Sequence, residues 1–227
     1  MEREEIKVYT PKYEKRREIV KAIDNFWPVA LMHHDVVLVH VQHKSDQSAL
    51  SYLQDVWVTR HKDEHRAFTI EFTFKENPFF SDKVLTKEFK HNPPKVEDPA
   101  QNKPNEHGIT DAMLEFDSDL HLDPSTIKIN WKDDDHNLTK LYPRVVDDED
   151  DDVPAESGSF FNFFEQKSDP FGIGEAIGIE IFPNAIDYFM GDVQGSEIDS
   201  DEEDDEEDEE DEEEIDLEKP RPKKRKV

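Results

Sequence analysis

From Glu197 to Glu218 the chain offers almost nothing that a folded protein can bury. Eighteen of these twenty-two residues are Asp or Glu, and none is Lys or Arg. Low hydrophobicity and dense like charge cannot offset the entropy of ordering a backbone, so this run is expected to stay disordered. A fold must therefore be made upstream of it. The run also supplies more than half of the formal net charge of −29. A surplus of this sign repels nucleic-acid phosphate and anionic lipid and favours basic partners. Specific DNA binding and membrane association are accordingly not expected. The chain has no cysteine, which removes disulfides, thiol catalysis and Cys-ligated zinc from consideration. Its first residues, MEREEIKVYT, lack the apolar run of a secretory signal, and no stretch approaches the ~18 apolar residues of a membrane span. A soluble intracellular protein is expected.

Upstream, periodicity separates helices from strands. Ile6, Tyr9, Tyr13, Ile19, Val20 and Ile23 recur at near-helical spacing, predicting a helix over 4–23. Pro11 is a flaw in that pattern, which holds best from Lys12 onward. Asp24 and Asn25 can end this helix and cap a second, over about 28–34, with Pro28 in its first turn. From Tyr52 the period becomes two. Val56 and Val58 predict one strand, and Phe68, Ile70, Phe72 and Phe74 a second, with Arg60–Arg66 as the hairpin loop. Val84–Phe89 reads as a third strand and Ile127–Trp131 as a fourth. Residues 92–120 form an insertion loop with one short element near Met113–Phe116. The run Asp147–Asp152 lies in a flexible acidic loop over 143–158. Phe160–Phe164 and a helical stretch from about Ile173 to Met190 complete an α+β body of roughly 150 residues, enough for a core.

Several catalytic patterns fail on context. His61-Lys62-Asp63-Glu64-His65 matches the H-x-x-E-H signature of inverted zinc proteases, but that chemistry needs both histidines on one helical face. Here the segment joins two strands. Gly172, Gly174 and Gly178 are spaced one residue too long for a dinucleotide fingerprint and follow no strand. Asp133-Asp134-Asp135-His136 lacks the Gly and terminal Glu of a calcium loop and reads as a solvated turn. His33, His34, His40 and His43 are spaced irregularly and are expected at the surface. No cofactor and no enzymatic activity are expected. Phe72, Phe74, Phe79, Phe80, Phe160, Phe161, Phe163 and Phe164 are assigned to the core, where each ring contributes a few kcal/mol of transfer energy.

Four blocks, in order between about 15 and 190, resemble the nucleosome assembly protein family. Phe74-Lys75-Glu76-Asn77-Pro78-Phe79-Phe80, with Lys83-Val84-Leu85-Thr86-Lys87-Glu88-Phe89, is similar to its F-x-E-N-P-[YF]-F…K-V-L-[ST]-K-[ET]-[FY] block. Lys15–Ile23 followed by Asn25-Phe26-Trp27 resembles the end of the family's long helix and the I-x-N-F-W turn of its SET branch. Ser159–Phe164 resembles S-F-F-x-[WF]-F. Ile181–Phe189 resembles the I-[WF]-P-N-x-x-x-Y-[YF] ending that precedes an acidic tail.

The resemblance implies an earmuff-shaped α+β domain: a four-stranded antiparallel sheet packed with helices, with a dimerisation-type helix that is short here. The corresponding organisation is an N-terminal helix over 1–27, a histone-binding domain over 28–190, an acidic tail over 191–218 and a basic terminus over 219–227. It implies a non-enzymatic chaperone of core histones, acting in nucleosome assembly or disassembly, with a homodimer as its expected form. The SET branch also admits a regulator or inhibitor of a chromatin enzyme. The expected histone contacts on the body are Asp133, Asp134, Asp135, Asp147, Asp148, Asp150, Asp151, Asp152, Glu165, Asp169 and Glu175. Asp201, Glu202, Glu203, Asp204 and Asp205 are their counterparts in the tail. Lys223, Lys224, Arg225 and Lys226, after Pro222, resemble a nuclear localisation signal read by an acidic import receptor. Nucleus is the expected address, with shuttling to the cytoplasm. Ser196 and Ser200 each precede an acid by three residues, which suits acidophilic kinases.

Overall fold

The alternation of Phe68, Ile70, Phe72 and Phe74 sends all four side chains to one face of a strand, and every one of them is buried. This strand, β2 (Phe68–Phe74), is flanked by β1 (Leu53–Arg60) and β3 (Val84–His91). Short β4 (Leu122–Pro124) closes a four-stranded antiparallel sheet in the order β1-β2-β3-β4. These elements come from a computed structural model that describes residues 2–62, 64, 66–92, 103–106, 110, 117–145 and 157–192. Register pairs Val58 with Ile70 and Val56 with Phe72 on one side, and Ile70 with Lys87 and Phe72 with Leu85 on the other. Between Leu53 and Asp55 the register slips, which sets Val56 opposite Phe72 on the apolar face, while Asp55, opposite Thr73, is buried on the other face against Arg17.

Helices make up most of the other described elements. They are α1 (Glu2–Val20), α2 (Phe26–Met32), α3 (Asp35–Leu38), α4 (Lys44–Leu50), α5 (Ser118–His121), α6 (Leu138–Leu141), α7 (Asn162–Glu165), α8 (Ile173–Glu175) and α9 (Ala185–Met190). A π-helical segment, Ala176–Ile181, continues α8. Pro11 lies inside α1, where it removes a single backbone donor while Thr10 Oγ1 donates to Ile6 O at 2.6 Å. The helix is therefore continuous from Glu2. Asn25 does not cap α2 with its side chain. It instead takes a left-handed conformation, φ 58°, that turns the chain between the two helices.

Two expectations are corrected. The fourth strand is Leu122–Pro124, not Ile127–Trp131. Once Leu122–Pro124 takes the edge of β3, Ile127–Trp131 finds its partners elsewhere: Ile127 N donates to Phe164 O at 3.0 Å, and Phe80 and Trp131 form an isolated bridge. Asn92 N donates to His121 O at 2.8 Å, tying the end of β3 to α5. The expected element near Met113–Phe116 lies outside the described residues. The histidines are not all at the surface, because His34 and His40 are buried. The stretch Ile173–Met190 is helical but broken into α8, the π segment and α9, with Pro183 between the last two.

The glycines that fail as a nucleotide motif are explained by packing. Phe68 and Phe89 face each other across β2 and β3 with stacked rings, centroids 4.6 Å apart. A Cβ on Gly174 would sit 2.0 Å from Phe89 Cζ, and one on Gly178 would sit 3.0 Å from Phe68 Cε2. Spaced four apart, the two glycines let the helical backbone lie directly on this ring pair. Arg60 Nη2 then reaches Gly178 O at 3.2 Å.

Beneath the middle of the sheet lie Phe160, Phe161, Phe163 and Phe164, all fully buried. Phe164 meets Phe72 edge-on at 5.1 Å, and Phe161 contacts Phe80 and Trp131 at 5.6 Å each. At the other end α1 docks through arginine. Arg16 lies over the rings of Tyr13, Trp27 and Phe182, and its Nη1 donates to Pro183 O at 3.0 Å. Burial lowers its pKa to about 10. Arg17 covers Trp57 and pairs with Asp55 at 2.5 Å.

Candidate functional site

The acids expected to meet a partner divide into two kinds. Asp133, Asp134 and Asp135 stand exposed between the extended run 127–131 and α6. Asp133 Oδ1 accepts from His136 N at 2.9 Å and lies 2.7 Å from His136 Nδ1. Those hydrogen bonds hold its carboxyl below the usual range. Asp134 pairs with Lys140 at 2.7 Å, an exposed pair that adds little to stability. Asn137 caps α6 by accepting from Lys140 N, which fixes where the acidic turn ends. Asp133 and Asp134 form one rim of an open basin of about 530 Å³, floored by Ile129 and Trp131 and bounded by Ser81 and Asn130. Asp82, which sequence reasoning passed over, anchors this rim by accepting from Asn130 N and Nδ2 at 2.7 Å each.

Glu165 and Asp169 are occupied inside the body. Glu165 Oε1 accepts from Ile129 N and Trp131 Nε1, and Oε2 accepts from Thr139 Oγ1 at 2.6 Å. One carboxylate thus binds α7, the 127–131 run and α6 together beneath the basin. Asp169 accepts from Ile173 N at 3.1 Å and Gly174 N at 2.7 Å, capping α8, and burial pushes its carboxyl above the usual range. Glu175 is half-buried on α8. Asp147, Asp148, Asp150, Asp151 and Asp152 lie outside the described residues. So do Asp201, Glu202, Glu203, Asp204 and Asp205, the basic residues Lys223, Lys224, Arg225 and Lys226, and the serines Ser196 and Ser200.

The structure also collects buried ionisable groups that the chemistry of an exposed acidic surface does not need. Lys87 faces the core between Leu85 and Phe89 with 0% exposure. Its Nζ donates to Gln166 O at 2.5 Å, and burial lowers its pKa to about 8. Its phase with Leu85 and Phe89 in the alternating strand is the one sequence signal that could have placed it inward. His40, buried with its ring 4.2 Å from that of Phe171, is lowered to about 4 by burial and by the nearby Arg144. Among the described residues, no group of His, Cys, Asp and Glu could hold a metal ion, and no helix is long and apolar enough to cross a membrane. His61 and Glu64 fall in the β1–β2 hairpin loop, as their context implied, while His65 lies outside the described residues.

A family model described as nucleosome assembly protein (NAP) matches residues 2–192. The chain belongs to the nucleosome assembly protein family. Protein SET of Drosophila melanogaster is 31% identical over 186 residues, which cover 81% of this chain and 61% of that protein. Nucleosome assembly protein 1;3 of Arabidopsis thaliana is 28% identical, over 86% of this chain and 60% of its own length. The chain thus spans about three-fifths of these relatives. Among solved structures, nucleosome assembly protein 1 from Plasmodium knowlesi superposes with a TM-score of 0.54 at 27% identity, covering 82% of this chain and 81% of that one.

Within this family member the matching blocks hold concrete structural posts. Asn77 Oδ1 accepts from Phe79 N and Phe80 N, at 2.9 and 3.0 Å, and Lys132 Nζ donates to Asn77 O. The turn after β2 is thereby tied to the loop that carries Asp133–Asp135. The Phe26-Trp27 block meets the Ile181–Phe189 block directly, with Phe26 stacked on Phe189 at 4.9 Å and Trp27 parallel to Phe182 at 6.1 Å.

Proposed function

We propose that this nucleosome assembly family member is a nuclear, non-enzymatic histone chaperone that shields the basic surface of core histones during nucleosome assembly or disassembly. Free histones collapse onto DNA phosphate through counterion release, and a rigid acidic body competes for the same cations. The observation that carries the reading is the match to the nucleosome assembly family over residues 2–192, together with an exposed acidic rim on the folded body. In this reading Asp133, Asp134 and Asp135 touch the histone, joined by Asp147–Asp152 and by Glu175. Glu165 and Asp169 shape the surface from inside. The tail acids, Asp201–Asp205 among them, raise the encounter rate and the local carboxylate concentration. Lys223–Lys226 direct import through an acidic receptor. Val8, Tyr9, Ile19 and Ile23, exposed along and just after α1, are the surface offered to a second copy in a homodimer.

Neutralising Asp133, Asp134 and Asp135 together to Asn is expected to weaken histone binding about tenfold, since each exposed ion pair contributes only ~0.2–1 kcal/mol. Glu165→Gln should leave histone affinity unchanged while lowering the unfolding midpoint, because its carboxylate serves three internal donors. Titration calorimetry with a histone pair separates the two. Equal affinity for the triple variant and the parent chain would remove the acidic rim from the contact surface.

A further inference from the structure

We infer that Asp46 is a proton-sensing latch between α4 and the junction of Tyr142 with Ser159, holding that junction more firmly when protonated. Ser159 N donates to Tyr142 O at 2.9 Å, and Asn162 Nδ2 donates to Tyr142 O and Ser159 O at 3.1 and 3.0 Å. Gly158, at φ 65°, leaves no space for a Cβ, which would sit 2.6–2.7 Å from Tyr142 O, Arg144 N and Asn162 Nδ2. Asp46 reaches this clamp from α4. Ser159 Oγ donates to Asp46 Oδ1 at 2.5 Å while accepting from Phe161 N at 3.2 Å, so the direction of its proton is fixed.

The carboxyl is 0% exposed and its Oδ2 has no hydrogen-bond partner. A carboxylate there is a buried charge with one oxygen unsatisfied, and protonation removes the charge, which burial penalises most, while Oδ2 still has no partner. Burial raises its pKa to about 6 against the opposing pull of Ser159, of His43 and of the backbone donor of Phe160. Three other charged or titratable groups stand at this junction: His43 precedes α4 with its ring stacked on Tyr142 at 3.9 Å, Arg144 carries its guanidinium over Phe171, and His40 packs on the same ring.

With the folded pKa raised above the unfolded one, the latch is weakest when both forms are ionised, above pH ~6. It gains strength as pH falls toward the ordinary aspartate range. His40 acts oppositely: its lowered pKa means that burial is lost as pH falls below the ordinary histidine value, so wild type must be compared with a variant at each pH.

The test is amide hydrogen exchange of Ser159, Phe161 and Asn162 in the full chain and in Asp46→Asn. At pH 7.5 the variant should be the better protected, and its advantage should shrink about tenfold by pH 5. An advantage that is absent, or equal at both pH values, overturns the latch. Should the variant not fold, the side-chain carboxyl carbon shift of Asp46 in the intact protein decides the matter. A midpoint well above the ordinary aspartate value of about 3.9 supports the latch, and a midpoint at or below that value overturns the proposal.

Discussion

Replacing Phe161 by alanine is expected to lower the unfolding free energy of the body by about 4 kcal/mol, in the range set by large-to-small changes of buried aromatics. The ring is fully buried and meets Phe74, Phe80, Trp131, Phe160 and Phe164. These neighbours come from β2, the turn after it, the run beneath the basin, and α7 with the residue two before it. None can move into the vacated space without leaving another ring, so little of the cavity can close. A domain with ~5–15 kcal/mol of total stability loses a large share of it. Urea unfolding reads the effect as a fall in midpoint at unchanged slope. A shift of under about 1 kcal/mol would mean that the cluster repacks freely.

Gly174→Ala should cost about 3 kcal/mol, at the upper end for overpacking. The added methyl would have to occupy the place of Phe89, 2.0 Å away at the nearest atom. That ring cannot yield easily, being stacked on Phe68 and packed on Phe163 at 6.3 Å. Two neighbouring glycines supply internal controls. At Gly178 the nearest ring atom is 3.0 Å away, so a smaller cost of about 1 kcal/mol is expected. At Gly172 nothing lies within 4 Å, but φ is 63°, and Ala there should lose about 1 kcal/mol through backbone strain alone. The order Gly174, then the other two, tests the assignment of this glycine pair to close helix–sheet approach. A Gly174→Ala protein as stable as the parent would refute it.

Most of the architecture was legible because its signals are local. The alternation in Phe68–Phe74 and the aromatic density of Phe160–Phe164 each specify a buried face without reference to the rest of the chain. The fourth strand was misplaced because Leu122–Pro124 spans three residues and ends in proline, too short to display a period, whereas Ile127, Ile129 and Trp131 alternate. His40 was expected at the surface, and the third strand carried no statement that Lys87 would be buried. Their burial is set by Phe171, Arg144 and Gln166, partners distant in the chain. The exposed acids Asp133–Asp135 were legible as a turn, whereas the internal duties of Glu165 and Asp169 were not. A carboxylate that caps a helix or gathers three donors looks, in sequence, like one that faces solvent.

Retention of a core histone pair at moderate and at high salt, by the full chain and by a chain ending after Asp192, tests most directly whether the folded body recognises histones. Screening strips away contacts between exposed charges but leaves shape-matched, partly buried ones. The shortened chain is expected still to hold one histone pair at high salt, with slower association than the full chain. Binding that disappears with the tail, or with salt alone, would contradict it and leave a diffuse polyanion attached to a body of another purpose.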